Sequence, residues 1–141
     1  MQYNIYQIDS HKVDSINSEI SQKTVQLILN QKDKQPETLE YLSKIITAIN
    51  MSIINDCNIH YVDYENRNWF NQVIAQTSPS KHIFFGIDPA KIGIWFQVPV
   101  YRYFTLLEND FIFIDSPEII RTNKEKKSLF WAELQLMFKL K

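Results

Sequence analysis

The stretch of sequence that decides the fold is KHIFFG, at Lys81–Gly86. Its three consecutive apolar residues, 83–85, lie between Pro79 and a glycine that is one of only two in the chain. Such a run is too short for a buried helix, and it lacks the alternation of a half-exposed strand. It therefore predicts a central parallel strand that is covered on both faces. Gly86 then allows a sharp turn at the carboxyl end of this strand, where open parallel sheets commonly carry their sites.

Strands and helices are predicted to alternate before this segment. Residues 25–29 (VQLIL) favour a first strand, and residues 57–62 favour a second one. Pro36 begins a stretch in which leucines and isoleucines recur at helical spacing, and residues 68–76 predict a second helix. The order strand, helix, strand, helix, strand predicts right-handed crossovers and a parallel sheet.

The pattern changes after the glycine that ends the central strand. Residues 100–107 and 111–114 are apolar runs joined by Glu108–Asp110, which predicts a hairpin. Ser116 directly before Pro117 is typical of the N-cap of a short helix.

A final helix is predicted to start at Thr122 and Glu125, which have capping-box spacing. Trp131 is expected to be buried and to anchor this helix on the sheet. All these elements together predict one three-layer α-β-α domain with a mainly parallel central sheet, over residues 23–141. Residues 1–22 form a separate N-terminal segment in this prediction, which either docks on a partner or adds an edge strand or lid to the domain.

Charge and cysteine content limit the functions to expect. The chain has 15 Lys and Arg against 16 Asp and Glu, a net charge of -1, which argues against a dedicated nucleic-acid binder. Basic residues are concentrated from Arg121 onward, on a helix face that meets either solvent or an acidic partner. Cys57 is the only cysteine, so no internal disulfide is expected. Because the sequence shows neither a signal peptide nor a membrane-spanning apolar run, we predict a cytoplasmic protein with no membrane contact.

The titratable residues predict no metal, no cofactor and no small-molecule substrate. None of the three histidines has a metal-ligand partner at helical spacing, and the two glycines form no phosphate loop. His60 and His82 are expected to be hydrogen-bonded structural residues. Asp63 and Asp88 each follow a predicted strand, where a carboxylate is either catalytic or caps the next turn. Ser116 lacks the surroundings of a nucleophile elbow, so we predict a capping role for it.

Two aromatic residues stand apart from the predicted core. Trp95 and Phe96 lie in a loop between Gly93 and Pro99. Loop aromatics either anchor a protein partner, stack on nucleobases or fold back over a sheet edge. Trp95 and Phe96 are therefore candidate partner-binding residues.

The C-terminal segment resembles a known superfamily. Residues 115–134 are DSPEIIRTNKEKKSLFWAEL, and their spacing of proline, isoleucine, asparagine, lysine, tryptophan and leucine is similar to that of two related groups. One is the uracil-DNA glycosylase superfamily, and the other is the psi subunit family of bacterial DNA polymerase III, a non-enzymatic relative. The central strand with its glycine resembles both groups, and residues 25–48 resemble psi. The resemblance covers roughly residues 23–134 and implies a uracil-DNA glycosylase-like fold.

Departures from the glycosylase pattern favour the non-enzymatic relative. Glycosylases carry a Gly-rich acidic motif after the first strand, whereas residues 30–36 here (NQKDKQP) contain no glycine. Ser116 occupies the position of the catalytic histidine before the proline. The resemblance thus implies that the hydrolytic carboxylate and the base-polarising imidazole are missing from their places, and no catalytic residue is predicted. The alternatives are a superfamily enzyme that uses Asp63 or Asp88, and a passive nucleic-acid binder.

Resemblance to psi implies an adaptor of the clamp loader in DNA replication. In that family an N-terminal segment docks on the collar of the motor subunits. The globular body binds a second small accessory subunit that reaches single-strand-binding protein. Tyr3, Ile5 and Tyr6 are the candidate docking residues in the N-terminal segment, and Trp95 and Phe96 are the next candidates, on the body. Direct nucleic-acid binding is not expected.

Overall fold

The computed structural model of this chain describes residues 23–140, so the candidate docking residues Tyr3, Ile5 and Tyr6 lie outside the described part. The strands are β1 (Val25–Leu29), β2 (Cys57–Tyr61), β3 (Lys81–Phe85), β4 (Phe104–Leu106) and β5 (Asn109–Ile114). The helices are α1 (Pro36–Ala48), α2 (Ile53–Asp56), α3 (Trp69–Thr77), α4 (Pro117–Thr122) and α5 (Lys124–Met137), with 3-10 turns at Gln31–Asp33 and Pro89–Ile92. Within this range, no helix has the length and apolar character needed to cross a membrane.

The sheet is mainly parallel, with the strand order β2-β1-β3-β5-β4. Strands β1, β2, β3 and β5 run in one direction, and β4 pairs antiparallel with β5 at the edge. Strand β3 thus lies between two parallel neighbours, and its residues 83–85 are buried. This confirms the central strand predicted from KHIFFG and the mainly parallel α/β class.

Helices cover both faces of the sheet because the strands direct alternate apolar side chains into two cores. Ile83 and Phe85 belong to the core beneath α1, α4 and α5, whereas Phe84 belongs to the core beneath α3 and the loop after β3. Burying one such side chain stabilises a fold by about 1.5–3 kcal/mol relative to leaving it in water. The arrangement fits the three-layer class predicted from the order of elements.

The strand order reverses at the boundary between β1 and β3. The chain passes from β1 through α1 to β2 on one side, and then through α3 to β3 on the other side of β1. The loops that leave β1 and β3 therefore diverge, and a crevice opens at the carboxyl edge of the sheet. Gly86 follows β3 at this edge with a φ of 66°, a left-handed conformation that favours glycine.

The hairpin between β4 and β5 differs from its prediction. Leu107 and Glu108 form the turn, with φ values of 52° and 66°, instead of the predicted Glu108–Asp110. Asn109 is fully buried and begins β5; its side chain accepts a hydrogen bond from Ser80 N (2.8 Å) and donates one to Leu107 O (2.9 Å). A two-residue turn with positive φ suits the twist of the strands, and the buried amide holds it without a glycine.

Side-chain caps start two helices that the sequence analysis placed wrongly or missed. The N-cap of α5 is Asn123, whose side chain accepts a hydrogen bond from Lys126 N (3.0 Å), so the predicted capping role of Thr122 is wrong. The short helix α2 is absent from the prediction. Its N-cap Ser52 accepts a hydrogen bond from Asn55 N (3.1 Å).

The predicted burial of Trp131 is also wrong. Trp131 is 36% exposed, whereas Phe130, Leu134 and Met137 are the residues of α5 that face the core. Neighbouring residues of a helix point about 100° apart, so Trp131 is turned to the flank once Phe130 faces the sheet. The indole therefore lines a groove on the side of α5.

Candidate functional site

Hydrogen bonds hold the loops around the carboxyl-edge crevice together. Asn30 Nδ2 donates to Gly86 O (2.8 Å), which joins the loops that follow β1 and β3. The Tyr64 hydroxyl donates to Asn30 Oδ1 (2.5 Å), and Lys91 Nζ lies 5.9 Å from the centre of the Tyr64 ring. The loops after three parallel strands thus share one polar network.

Gly86 lets the start of α4 approach the same crevice. A Cβ atom on Gly86 would lie 3.1 Å from Ser116 Cβ and 3.2 Å from Ser116 N, closer than ordinary contact. Ser116 occupies the predicted N-cap position of α4, but its side chain makes no capping hydrogen bond. It lines a cavity of about 400 Å³ at the edge of the sheet.

Asp33 lines this cavity with a carboxyl group that has a buried oxygen and a raised pKa. It ends the 3-10 turn after β1 and lines the cavity together with Ser116 and Arg121. Its Oδ2 atom is buried and has no hydrogen-bond partner among the described residues. Burial is the largest cause that raises the pKa of Asp33; Lys32 lowers this pKa and Glu118 raises it. A carboxyl group with a raised pKa in a crevice is typical of proton-transfer sites.

The two carboxylates weighed in the sequence analysis act as local caps. Asp63 Oδ1 accepts a hydrogen bond from Glu65 N (3.0 Å), and Asp88 Oδ1 accepts one from Ala90 N (3.1 Å). Each satisfies a backbone N–H at the start of a turn, as carboxylates after strands commonly do. Asp88 also lines the crevice on the side of Tyr64, whereas Asp63 does not line it.

The two strand histidines belong to a polar network around Gln26 and Thr77, in which His82 is buried and His60 is half-buried. His82 Nε2 lies 3.0 Å from Thr77 Oγ1, and the ring stacks on Phe111 with 4.8 Å between centroids. His60 Nε2 lies 2.7 Å from Gln26 Oε1. Burial lowers the pKa of His82 to about 4, and it also lowers the pKa of His60. Both rings therefore have the hydrogen-bonded structural position that was predicted.

Trp95 is the most exposed large apolar side chain among the described residues, at 94%. The loop beneath it is fixed because Ile92 and Ile94, on either side of Gly93, are buried in the core under α3. Gly93 has a φ of 95° and lies against Arg67 O, which leaves no room for a Cβ atom. Since the neighbouring isoleucine faces inward, Trp95 is held facing solvent.

Trp95 and Phe96 line an apolar groove of about 370 Å³. Helix α3 and the tip of the β4–β5 hairpin, with Leu106 and Leu107, form its other walls. The ring of Phe96 packs edge to face on Phe104, with 6.3 Å between centroids, which keeps it at the groove. We call Trp95, Phe96, Leu106 and Leu107 the Trp95 surface. Exposed apolar side chains gathered around a groove are typical of protein interfaces.

The fold and these two features define an α/β domain with a polar crevice at the carboxyl edge of its sheet and an apolar surface at its flank. No protein family, curated protein or solved structure significantly matches this chain. In residues 23–140, no group of three or more histidine, cysteine, aspartate or glutamate side chains is placed to hold a metal ion.

Half of the Trp95 surface could be predicted from the sequence, whereas Asp33 in the cavity beside Ser116 was not predicted. Trp95 and Phe96 are exposed and adjacent, and the fold adds Leu106 and Leu107 from a distant part of the chain. Asp33 received no role in the sequence analysis. The signal for it was an acidic residue in the loop directly after a buried strand, at the edge where α/β sheets bind ligands.

Proposed function

We propose that this chain is a non-catalytic protein–protein adaptor that binds a partner through the Trp95 surface. The observation that carries the proposal is the 94% exposure of Trp95 beside an apolar groove. An aromatic side chain can bury about 150–250 Å² at an interface, at roughly 25 cal/mol per Å². Tryptophan is also enriched among the residues that dominate binding energies. A partner that covers Trp95 thus gains affinity from a single anchor.

The backbone that carries this anchor is already ordered in a way that suits binding. Gly93 packs on Arg67 O, and the buried Ile92 and Ile94 hold the loop on the core. The loop that carries Trp95 therefore loses little conformational entropy when a partner binds. Most of the free energy gained by burying the indole then contributes to affinity.

We propose that the partner assembly is the clamp loader of bacterial DNA polymerase III, because residues 115–134 resemble the psi family. The same resemblance supports a uracil-DNA glycosylase-like fold for this domain. In this proposal the Trp95 surface binds the second small accessory subunit, which reaches single-strand-binding protein. Tyr3, Ile5 and Tyr6 bind the collar of the motor subunits. The protein then serves DNA replication in the cytoplasm as a connector.

The Trp95→Ala variant is expected to bind the small accessory subunit roughly 30- to 1,000-fold more weakly, since losing a central aromatic anchor costs about 2–4 kcal/mol. Isothermal titration of the purified full-length protein with that subunit measures the change. Binding to the motor subunits is expected to remain, because their proposed contacts are Tyr3, Ile5 and Tyr6.

Leu136→Ala is the matched control, because Leu136 is 61% exposed on α5, away from the Trp95 surface. It is expected to bind as the wild-type protein does. Equal affinity of the Trp95→Ala and wild-type proteins would move the contact elsewhere on the body. If the wild-type protein binds no clamp-loader subunit at all, the psi assignment is to be dropped and only the α/β class kept.

A second candidate function, hydrolysis of a base–sugar bond in DNA, is favoured by one observation. The carboxyl group of Asp33 has a buried, unpartnered oxygen and a raised pKa, and it lies in a cavity with Ser116 and Arg121. A carboxylate in such a place can activate water as a general base. The adaptor remains our first proposal because the resemblance implies that the base-polarising imidazole is replaced by Ser116.

The purified protein is expected to release no base from DNA that contains uracil, hypoxanthine or a mismatch. Gel analysis of cleaved abasic sites measures this directly. Base release that is lost in Asp33→Asn and kept in Asp63→Asn would establish the second function and overturn the adaptor as a non-enzyme. Asp63 is the suitable control because its carboxylate caps a turn outside the cavity.

A further inference from the structure

A second apolar groove, of about 360 Å³, lies on the opposite face of the sheet, between α1 and α5. Helix α1 lines it with Tyr41, Ile45 and Ala48. These residues are spaced four and then three positions apart, so they lie on one face of the helix. Helix α5 lines it with Trp131 and Leu134. Both helices pack on the core of one face of the sheet. The Trp95 surface lies over the core of the other face.

The groove lies where α1 and α5 do not pack closely against each other. Helix α1 packs on α4 and α4 packs on α5, whereas α1 and α5 make few direct backbone contacts. Ala48 is too small to fill the space between them, and the indole of Trp131 lines one wall while keeping 36% of its surface exposed. The partial exposure of Trp131 thus results from an unfilled groove.

Positive charge lines this apolar space. Lys44 of α1 and Lys127 of α5 both line the groove, and none of its described lining residues is acidic. Neither ammonium group forms an ion pair with another described residue, and Glu40, one turn before Lys44, does not line the groove. Burial raises the pKa of Tyr41 and Arg121 lowers it. Arg121 lines the adjoining cavity together with Glu37 and Glu118, so the positive charge of the groove itself is that of Lys44 and Lys127. Two like charges on one groove favour an anionic ligand.

We propose that this basic groove, formed by the residues that line it on α1 and α5, binds an acidic peptide segment of a partner protein. A large apolar side chain of the segment packs on Trp131 and Ala48, and its carboxylates lie beside Lys44 and Lys127. Apolar burial supplies affinity, and charge complementarity selects the peptide and its orientation. The site does not depend on the Trp95 surface, and its position on the other face would let one domain hold two partners at once.

Fluorescence anisotropy of a labelled peptide tests the proposal with the full-length protein. The probe is a synthetic peptide of about twelve residues that contains four glutamates followed by a leucine and a phenylalanine. Its binding is expected to weaken as salt is raised, because the charges are partly exposed. Two comparison peptides, one with glutamines for glutamates and one with serines for the apolar pair, are expected to bind at least about tenfold more weakly. No binding of the acidic probe, or equal binding of all three peptides, would overturn the proposal.

The double variant Lys44→Glu with Lys127→Glu is expected to weaken probe binding about tenfold or more, because two attractions become repulsions. The double variant Lys32→Glu with Lys91→Glu makes the same charge change at the carboxyl edge, outside the groove, and is expected to keep binding. Equal losses in the two double variants would show a general charge effect and reject the site. Trp95→Ala should also keep binding, which separates this site from the proposed adaptor surface. Thermal unfolding of each variant checks that it is folded.

Discussion

Replacing Phe84 with alanine is expected to lower the free energy of unfolding by about 3–5 kcal/mol. The ring is fully buried, lies nearly parallel to that of Phe113 with 4.2 Å between centroids, and also contacts Phe70 on α3. Its loss opens a cavity between β3 and α3, which the neighbouring rings cannot fill while strand and helix hold their backbones. Domains of this size are commonly stable by only about 5–15 kcal/mol, so the change removes a large share of the total.

Urea unfolding with an unchanged slope measures this loss, and Leu136→Ala provides the comparison. Leu136 is exposed on α5, and its truncation is expected to change the free energy of unfolding by less than about 0.5 kcal/mol. A loss below about 1 kcal/mol for Phe84→Ala would mean that α3 collapses onto the vacated space, and that β3 is not the tightly packed centre of the fold.

The central strand could be predicted because its signal is local. An apolar run of three residues between a proline and a glycine is compatible with few structures other than a buried strand. The alternation of strands and helices then predicts a parallel sheet. Residues 25–29 match β1 in full, and the start of α1 at Pro36 was also predicted correctly. Each of these features depends on residues that are neighbours in the sequence.

The features that were predicted wrongly depend on contacts between distant residues. The β4–β5 turn has positive φ at Leu107 and Glu108, neither of them glycine, and the neighbouring Asn109 accepts a hydrogen bond from Ser80, far away in the chain. The exposure of Trp131 depends on which face of α5 meets the sheet, and two adjacent aromatic residues leave that choice open in the sequence. Asp33 has a raised pKa because it is partly buried where the loop after β1 and the start of α4 come together, a contact between residues distant in the sequence.

We expect His82 to control the stability of the domain in mild acid, because tertiary contacts bury its imidazole and lower its pKa. Its imidazole is fully buried between Thr77, the Asp110 carbonyl and the ring of Phe111, and burial lowers its pKa from 6.5 to about 4. In the unfolded chain the ring accepts a proton below about pH 6.5, whereas in the folded domain it resists protonation down to about pH 4. Its contribution is therefore fully present above pH 6.5 and is lost as the pH falls toward 4, by roughly 3 kcal/mol in all. Lowering the pH from 7 to 4.5 should reduce the urea midpoint strongly.

The pH window separates this effect from the titration of the two carboxyl groups with lowered pKa values, and Asp33, whose pKa is raised, changes stability in the opposite direction as the pH falls. Burial raises the pKa of Asp110, but the hydrogen bonds that it accepts from Lys81 and Thr105 outweigh this effect and lower the pKa. The hydrogen bond from Lys126 lowers the pKa of Asp115. Both carboxylates therefore stabilise the fold above their ordinary pKa of 3.8, and this contribution is lost as the pH falls through their lowered pKa values. His60 also has a lowered pKa and adds to the loss in the same direction as His82.

His82→Gln should flatten the stability profile between pH 6.5 and 4 while leaving the fall below pH 4 in place. The slope is the relevant readout, because the substitution also changes packing against Phe111 and therefore shifts the absolute free energy of unfolding at every pH. A profile in His82→Gln that is as steep as that of the wild-type protein would mean that the acid sensitivity arises elsewhere, with His60 the next residue to replace.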